Sequence, residues 1–258
     1  FDLPYLEARA RRYRIPLTLG RDGSVMSGHP SRFQVAERVF SYQKYAIFGR
    51  HIIDTMFLAL LYDVSHRNLE SFGLKDIARH FGLSPANRTY VDGDRISWSY
   101  DHDRGRLLDY AMDDVRETRA VSELLGRSYF FQAQIFPLSF QNVVIRGNAT
   151  RIDHLFIRAY YRRRQALPAC PVGRSYEGGY TDMRVQGVLR HVLHCDVRSL
   201  YPSVMLAFDF NPTTDALGIF PELLRDLRTF RLNAKAAVRT APTRAEREQA
   251  DALQLTFK

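Results

Sequence analysis

The stretch Cys195-Asp196-Val197-Arg198-Ser199-Leu200-Tyr201-Pro202-Ser203 places a carboxylate directly after an apolar segment. The segment at residues 185–197 is rich in valine and leucine, which predicts a buried strand that ends near Asp196. The chain must then turn, and backbone N–H groups near Ser199 to Tyr201 could donate to phosphate oxygens. A carboxylate at a strand end suits Mg²⁺, which prefers oxygen ligands. Taken by itself, an aspartate in this position is more often a turn former.

A helical hairpin is predicted after this stretch. The sequence pattern indicates one helix at residues 220–238 and a second at residues 244–258, separated by a turn at Ala241-Pro242. Thr243, followed three residues later by Glu246, forms a capping box for the second helix.

The N-terminal half is predicted to mix helices and strands. Its strongest helix covers residues 107–125, and the side chains spaced for one buried stripe are Leu108, Met112, Val115, Thr118 and Val121. Further helices are predicted at residues 6–14, 74–81 and 152–164. Residues 50–63 are compatible with either a strand or a helix. The pattern at residues 1–6 indicates a strand and turn that begin before residue 1.

Composition indicates the class of partner. The net charge of +9 favours an anionic partner, with nucleic acid the leading candidate. However, 33 of the 37 basic residues are arginine, a bias that a GC-rich genome also produces. The apolar content of 45% excludes low-complexity disorder, and two cysteines are too few for a disulfide scaffold. No apolar run approaches the ~20 residues of a membrane span, so we expect an intracellular protein without a membrane partner.

The residues around Asp196 carry a family resemblance. All six specified positions of the pattern Asp-x-x-Ser-Leu-Tyr-Pro-Ser are present at 196, 199, 200, 201, 202 and 203, so the stretch resembles motif A of the family B DNA polymerases. Upstream, Tyr176-Glu177-Gly178-Gly179 resembles the family's Tyr-x-Gly-Gly motif. Arg231 and Lys235 are four residues apart, so both project from one helical face, and they resemble the fingers pair that binds the incoming triphosphate. Lys258 matches the first residue of the family's motif B.

A second set of residues resembles the family's 3′→5′ exonuclease. Phe1-Asp2-Leu3-Pro4-Tyr5-Leu6 is similar to the end of the Exo II motif, and Tyr110 with Asp114 matches the Tyr-x-x-x-Asp pattern of Exo III. On a helix, Tyr110 and Asp114 are neighbours across one turn. Asp113 points ~100° away around the helix and is not assigned a role. Asp54 is interpreted as structural.

The resemblance implies an α/β fold, in which a partial ribonuclease H-like exonuclease domain precedes part of a polymerase palm and helical-hairpin fingers. The expected boundaries are 1–130 for the exonuclease domain, 131–175 for a connector, 176–219 for the palm segment and 220–258 for the fingers. Both ends of the sequence interrupt predicted elements, so we expect a fragment of a longer protein.

The resemblance also implies a chemistry. Polymerisation would use two Mg²⁺ ions, for which Mn²⁺ could substitute, held by the Asp196 carboxylate and the Val197 carbonyl. The triphosphate would be bound by a larger set of groups, namely Ser199, Leu200, Tyr201, Arg231, Lys235 and Lys258. In the exonuclease, Asp2 and Asp114 would hold metals and Tyr110 would orient the attacking water. The expected partners are a DNA primer-template and deoxynucleoside triphosphates, with no processivity partner identified, and the expected location is the cytoplasm at the nucleoid.

Parts of the family pattern are absent. The sequence contains neither the Exo I Asp-x-Glu pair nor motif C, so we expect this chain alone to catalyse neither reaction. Two alternatives stay open at this stage: a non-catalytic relative that binds nucleic acid, and a protein that acts mainly as a 3′→5′ exonuclease.

Overall fold

A computed structural model describes residues 2–169, 173, 178–197, 199–243, 246–247, 250–251 and 253–254. The chain divides into two compact units, Phe1–Leu155 and Phe156–Lys258. The helices and strands are α1 (Asp2–Tyr13), β1 (Ser27–Val35), β2 (Arg38–Ala46), α2 (Thr55–His66), α3 (Leu74–His80), α4 (Ile96–His102), α5 (Arg104–Ile135), α6 (Phe140–Ile145), α7 (Asn148–Arg162), α8 (Leu200–Ala207) and α9 (Ile219–Thr240). A short 3₁₀-helix, Gly93–Arg95, precedes α4. The fold is therefore mixed and rich in helix.

The strands of the first unit form an antiparallel hairpin. Strands β1 and β2 pair from Ser27↔Ala46 to Val35↔Arg38, and the two residues between them make the turn. The first of these, Ala36, has a positive φ of 49°, as a tight two-residue hairpin turn requires. In the described residues the sheet has these two strands.

Helix α2 is the centre of the apolar core of the first unit. Its residues Phe57, Leu58 and Leu60 are buried in one cluster with β1, where the Phe33 and Phe57 rings stack at 4.1 Å. Ala59 belongs to a second buried cluster with α3 and α5. The predicted ambiguity between strand and helix is therefore resolved as helix. Asp54 begins the helix, because its side chain accepts a hydrogen bond from the Met56 N–H at 2.9 Å.

Helix α5 is longer than predicted, and the expected buried stripe is wrong. Of the predicted stripe only Val121 is buried, and the other four side chains are exposed. The face that α5 buries instead carries Asp113, Glu117 and Val121, which follow one another at intervals of four. The two carboxylates can be buried because partners from residues 84–89 bind them.

The predicted strand at residues 185–197 is also wrong. These residues are irregular and exposed, and Val188 is 97% exposed. A strand needs a partner for its backbone groups, and none of the described residues pairs with this segment. Residues 1–6 likewise differ from the prediction of a strand and turn, because α1 begins at Asp2.

The second unit is built on α9, whose start is fixed by a buried carboxylate. Asp215 accepts a hydrogen bond from the Phe220 N–H at 2.7 Å and another from the Tyr160 hydroxyl at 3.1 Å. Helix α8 packs against α9. The described residues between 246 and 254 are helical, and Thr243 and Glu246 form the predicted capping box. Nowhere in the described residues is a helix long and apolar enough to cross a membrane.

Candidate functional site

The predicted exonuclease pair lies on α5 beneath two cationic side chains. The Tyr110 hydroxyl oxygen accepts a hydrogen bond from Lys75 Nζ at 3.0 Å, and the ammonium lies 4.7 Å from the centre of the ring. Asp114 Oδ1 accepts a hydrogen bond from Arg88 Nη2 at 2.5 Å. The Arg88 guanidinium also lies 5.6 Å from the Tyr110 ring. The structure therefore joins Tyr110 and Asp114 into one polar cluster with Lys75 and Arg88.

Arg88 is the centre of this cluster. Its Nε and Nη2 donate to the two carboxylate oxygens of Glu117 at 2.8 and 3.0 Å, and its Nη1 donates to the Thr89 carbonyl at 2.8 Å. Ser84 Oγ donates a further hydrogen bond to Glu117 at 2.7 Å. The side chain of Arg88 is 2% exposed and that of Glu117 is fully buried. Hydrogen bonding to Glu117 raises the pKa of Arg88 and outweighs the opposite effect of burial, so the guanidinium stays charged.

Asp113 positions the loop that carries Arg88. Its carboxylate is buried and accepts a hydrogen bond from the Thr89 N–H at 2.9 Å and one from Arg116 Nη1 at 3.0 Å. The Thr89 N–H is the main reason that the pKa of Asp113 is lowered. The sequence left Asp113 without a role, and the structure shows that it attaches residues 88–90 to α5.

Asp2, the other predicted exonuclease carboxylate, is exposed in the first turn of α1. Further along α1, Glu7 accepts a hydrogen bond of 2.9 Å from the hydroxyl of Tyr45, which fixes the helix to β2. Burial, and then the contact with Glu7, raises the pKa of Tyr45 to about 12. Among the described residues, no group of three or more His, Cys, Asp or Glu side chains is arranged to hold an ion.

The motif A residues surround the start of α8. Asp196 and Val197 are exposed in the irregular segment before it. Ser199 is the N-cap residue, with a positive φ of 53°, and its carbonyl accepts from the Ser203 N–H at 2.9 Å. Leu200 and Tyr201 occupy the first turn, where N–H groups have no partner within the helix. The side chain of Tyr201 is 72% exposed.

The predicted phosphate-binding side chains are carried by α9. Arg231 and Lys235 lie one turn apart on this helix. Within the part of the chain that the structure describes, neither of them forms an ion pair. Lys258, together with Tyr176 and Glu177 of the Tyr-x-Gly-Gly segment, lies outside the described residues.

Sequence reasoning missed Lys75, Arg88 and Glu117. Each is far in the sequence from its partner: Tyr110 lies 35 positions after Lys75, and Glu117 lies 29 positions after Arg88. A signal was nevertheless present, because Asp113 and Glu117 recur at helical spacing on the same face as Val121. Buried carboxylates at such positions require cationic or hydrogen-bonding partners from elsewhere in the chain.

Comparison with known proteins shows similarity to archaeal DNA polymerases. The chain is 27% identical over its whole length to a DNA polymerase of Pyrococcus glycovorans, of which it spans 36%. Over 83% of its length it is 27% identical to a DNA polymerase of Archaeoglobus fulgidus, of which it spans 26%. No protein-family model matches the chain.

A solved structure shows a similar fold. The family B DNA polymerase of Pyrobaculum calidifontis matches the whole chain with a TM-score of 0.63 and 20% identity, and the match covers 36% of that polymerase. The resemblance to family B DNA polymerases is thus confirmed, and the chain spans about a quarter to a third of the length of these relatives.

Proposed function

We propose that the chain is part of a DNA-directed DNA polymerase of the family B type, in which two-metal nucleotidyl transfer is combined with a 3′→5′ proofreading exonuclease. The proposal is supported above all by the similarity of the whole chain to archaeal DNA polymerases, with every specified position of motif A present. Its substrates would be a DNA primer-template and deoxynucleoside triphosphates.

The residues of the polymerase centre suit divalent cations in their chemistry. The carboxylate of Asp196 and the carbonyl of Val197 are hard oxygen ligands, which Mg²⁺ and Mn²⁺ prefer. When bound, Mg²⁺ would favour the ionised form of the primer hydroxyl and offset the charge of the phosphates. The chain's own contribution is to hold the nucleotide. The N–H groups of Leu200 and Tyr201, at the positive end of α8, would donate to phosphate oxygens.

Side chains around this centre would contact the deoxyribose and the triphosphate of the nucleotide. The exposed ring of Tyr201 would contact the deoxyribose and exclude a 2′-hydroxyl by steric overlap. Arg231 and Lys235, together with Lys258, would form charge-assisted hydrogen bonds with the triphosphate. This role is supported by the position of Arg231 and Lys235 on one helix without acidic partners among the described residues.

The exonuclease proposal is supported by the cluster on α5. Because Lys75 donates to the Tyr110 oxygen, the hydroxyl proton of Tyr110 is left to bind and orient an attacking water. Arg88 binds Oδ1 of Asp114, so the second carboxylate oxygen is the one that would ligate a cation. Asp2 would supply a further carboxylate oxygen. We propose that the chain alone catalyses neither reaction, because its sequence lacks the Exo I pair and motif C.

The test is a pair of substitutions in the longer protein that contains this chain. Asp196→Asn should lower primer extension by at least about 100-fold and leave 3′→5′ digestion unchanged. Asp209→Asn, at an exposed aspartate beyond α8, is the matched control and should change neither. Extension that persists in Asp196→Asn would rule out the polymerase assignment and favour a protein that acts mainly as a nuclease.

A reciprocal substitution tests the exonuclease. Tyr110→Phe keeps the ring over Lys75 but removes the hydroxyl, so digestion should fall by about 10²-fold while extension continues. If both activities are absent from the unmodified protein while DNA binding remains, the protein is a non-catalytic relative.

A further inference from the structure

We infer that a cavity beside the start of α5 binds a single unstacked nucleobase. It has a volume of about 220 Å³ and lies between α4, the first turn of α5 and the residues that precede the 3₁₀-helix. This volume is below the roughly 300–1,000 Å³ of sites that enclose a whole drug-sized ligand. The cavity therefore suits one ring system. That the base belongs to a DNA strand rests on the proposed function.

Two aromatic side chains provide stacking surface in this cavity. Trp98 and Tyr90 both line it, and they are 53% and 47% exposed. The Trp98 indole stacks against His102, with ring centres 4.8 Å apart and planes inclined by 11°. The Tyr90 ring packs against the Arg88 guanidinium, whose central carbon lies 4.5 Å from the ring centre. Each ring is thus held in place by a neighbour while half of the residue stays accessible to a ligand.

The polar groups of the cavity carry both signs of charge. Arg95 and Arg106 supply donors, while Asp92 and Asp103 supply acceptors. Arg106 Nη2 donates to the Tyr90 carbonyl at 3.1 Å, and Asp103 Oδ1 accepts from the Arg106 N–H at 3.2 Å, so these groups are fixed relative to the aromatic rings. A site for phosphate alone would be predominantly cationic. Balanced charge with two aromatic rings favours a base, whose edge carries donors and acceptors and whose faces stack.

The cavity is connected to the predicted exonuclease pair through the side chain of Arg88. The Arg88 guanidinium contacts the ring of Tyr90 on the cavity side and the ring of Tyr110, and it binds Asp114. Arg106 precedes Tyr110 by one helical turn on α5, so the two side chains share a helix face. A strand whose end is at Tyr110 could therefore place a neighbouring base in the cavity.

Trp98 makes the test direct, because it is the only tryptophan of the chain. The full chain is titrated separately with a short oligodeoxythymidylate, with deoxyadenosine monophosphate and with inorganic phosphate, while Trp98 fluorescence is recorded. In parallel, anisotropy of an end-labelled oligodeoxythymidylate reports binding of the strand. We expect saturable quenching with the oligonucleotide and with the mononucleotide, and none with phosphate.

Variants separate the cavity from the surrounding surface. Tyr90→Ala should weaken binding of the mononucleotide by about 5- to 100-fold, the effect of losing one stacking partner. Tyr90→Phe keeps the ring against Arg88 and should restore binding, which excludes a general loss of folding. Tyr100→Ala is the matched control, since Tyr100 is an exposed aromatic residue of the same helix as Trp98 but packs against Arg104.

The outcomes distinguish this inference from the proposed function. Oligonucleotide binding without quenching of Trp98 would overturn the cavity assignment and leave the proposed function in place. Quenching by the mononucleotide without oligonucleotide binding would support the base site and count against the DNA polymerase proposal. Quenching by phosphate alone, or an equal effect of Tyr90→Ala and Tyr100→Ala, would also overturn the inference.

Discussion

Replacement of Arg88 by methionine should destabilise the first unit by about 3–5 kcal/mol, because removing one partner of a buried ion pair costs about that much. In the structure, Arg88 donates two hydrogen bonds to the carboxylate of Glu117, whose side chain is fully buried. The thioether side chain of Arg88→Met cannot donate, so that carboxylate would keep the Ser84 hydroxyl alone. Asp114 adds little to the cost, because its side chain is 32% exposed and water can replace the guanidinium.

The assay is urea denaturation followed by far-ultraviolet circular dichroism. The control is Arg79→Met, because Arg79 forms an ion pair with Asp76 on the surface and is 68% exposed. Exposed pairs contribute at most about 1 kcal/mol, so the control should unfold near the midpoint of the unmodified chain. If Arg88→Met costs no more than Arg79→Met, the account of the cluster is wrong.

A double substitution shows whether the loss comes from the isolated carboxylate. In Arg88→Met with Glu117→Leu, both charges are removed and the volume is filled by apolar side chains. Such replacements are often neutral or stabilising, so most of the lost stability should return. If the double variant is as unstable as Arg88→Met alone, the lost stability comes from packing or from the contact with Thr89.

Three smaller predictions concern local hydrogen bonds. The pKa of Tyr45 is about 12 in the folded chain against an ordinary value of 10.0. The stabilisation that depends on its protonated hydroxyl is therefore complete below pH 10 and is lost as the pH rises towards 12. Denaturation across this window should show a loss of stability that the Tyr45→Phe variant lacks. Thr243→Ala removes the capping box with Glu246 and should lower the free energy of unfolding, measured by denaturation, by about 1 kcal/mol. An unchanged free energy of unfolding together with unchanged helicity would contradict this prediction. Asp215→Ala removes the two hydrogen bonds at the start of α9 and should lower the free energy of unfolding by about 1–3 kcal/mol, so an unchanged unfolding midpoint would refute this role.

Elements with strong local signals could be predicted from the sequence. Helices α3, α7 and α9 lie within a few residues of their predicted ranges, and the capping box at Thr243 is present. Helix α5 was predicted, but its buried face was not. Apolar periodicity identifies the apolar side chains, whereas α5 buries Asp113 and Glu117, whose partners lie in a loop 24 to 29 residues earlier in the chain.

The segment before Asp196 shows the opposite error. Its valine and leucine content gave the pattern of a buried strand, but Val188 and Leu193 are among its exposed side chains. A local pattern describes what a segment could bury and contains no information on whether a second strand lies beside it. The motif residues lie close together in the sequence and could be identified from their spacing. The role of Arg88 depends on contacts with residues distant in the sequence, so it could be found only from the fold.

The division of the chain at Leu155 has a consequence for genetics. Asp2, Tyr110 and Asp114 belong to the first unit, which contains the buried clusters around α2, whereas Asp196 and the α9 cations belong to the second. Under the proposed function, a substitution that loosens the clusters around α2 should impair error correction before it impairs synthesis. Such an allele should copy DNA with more uncorrected errors.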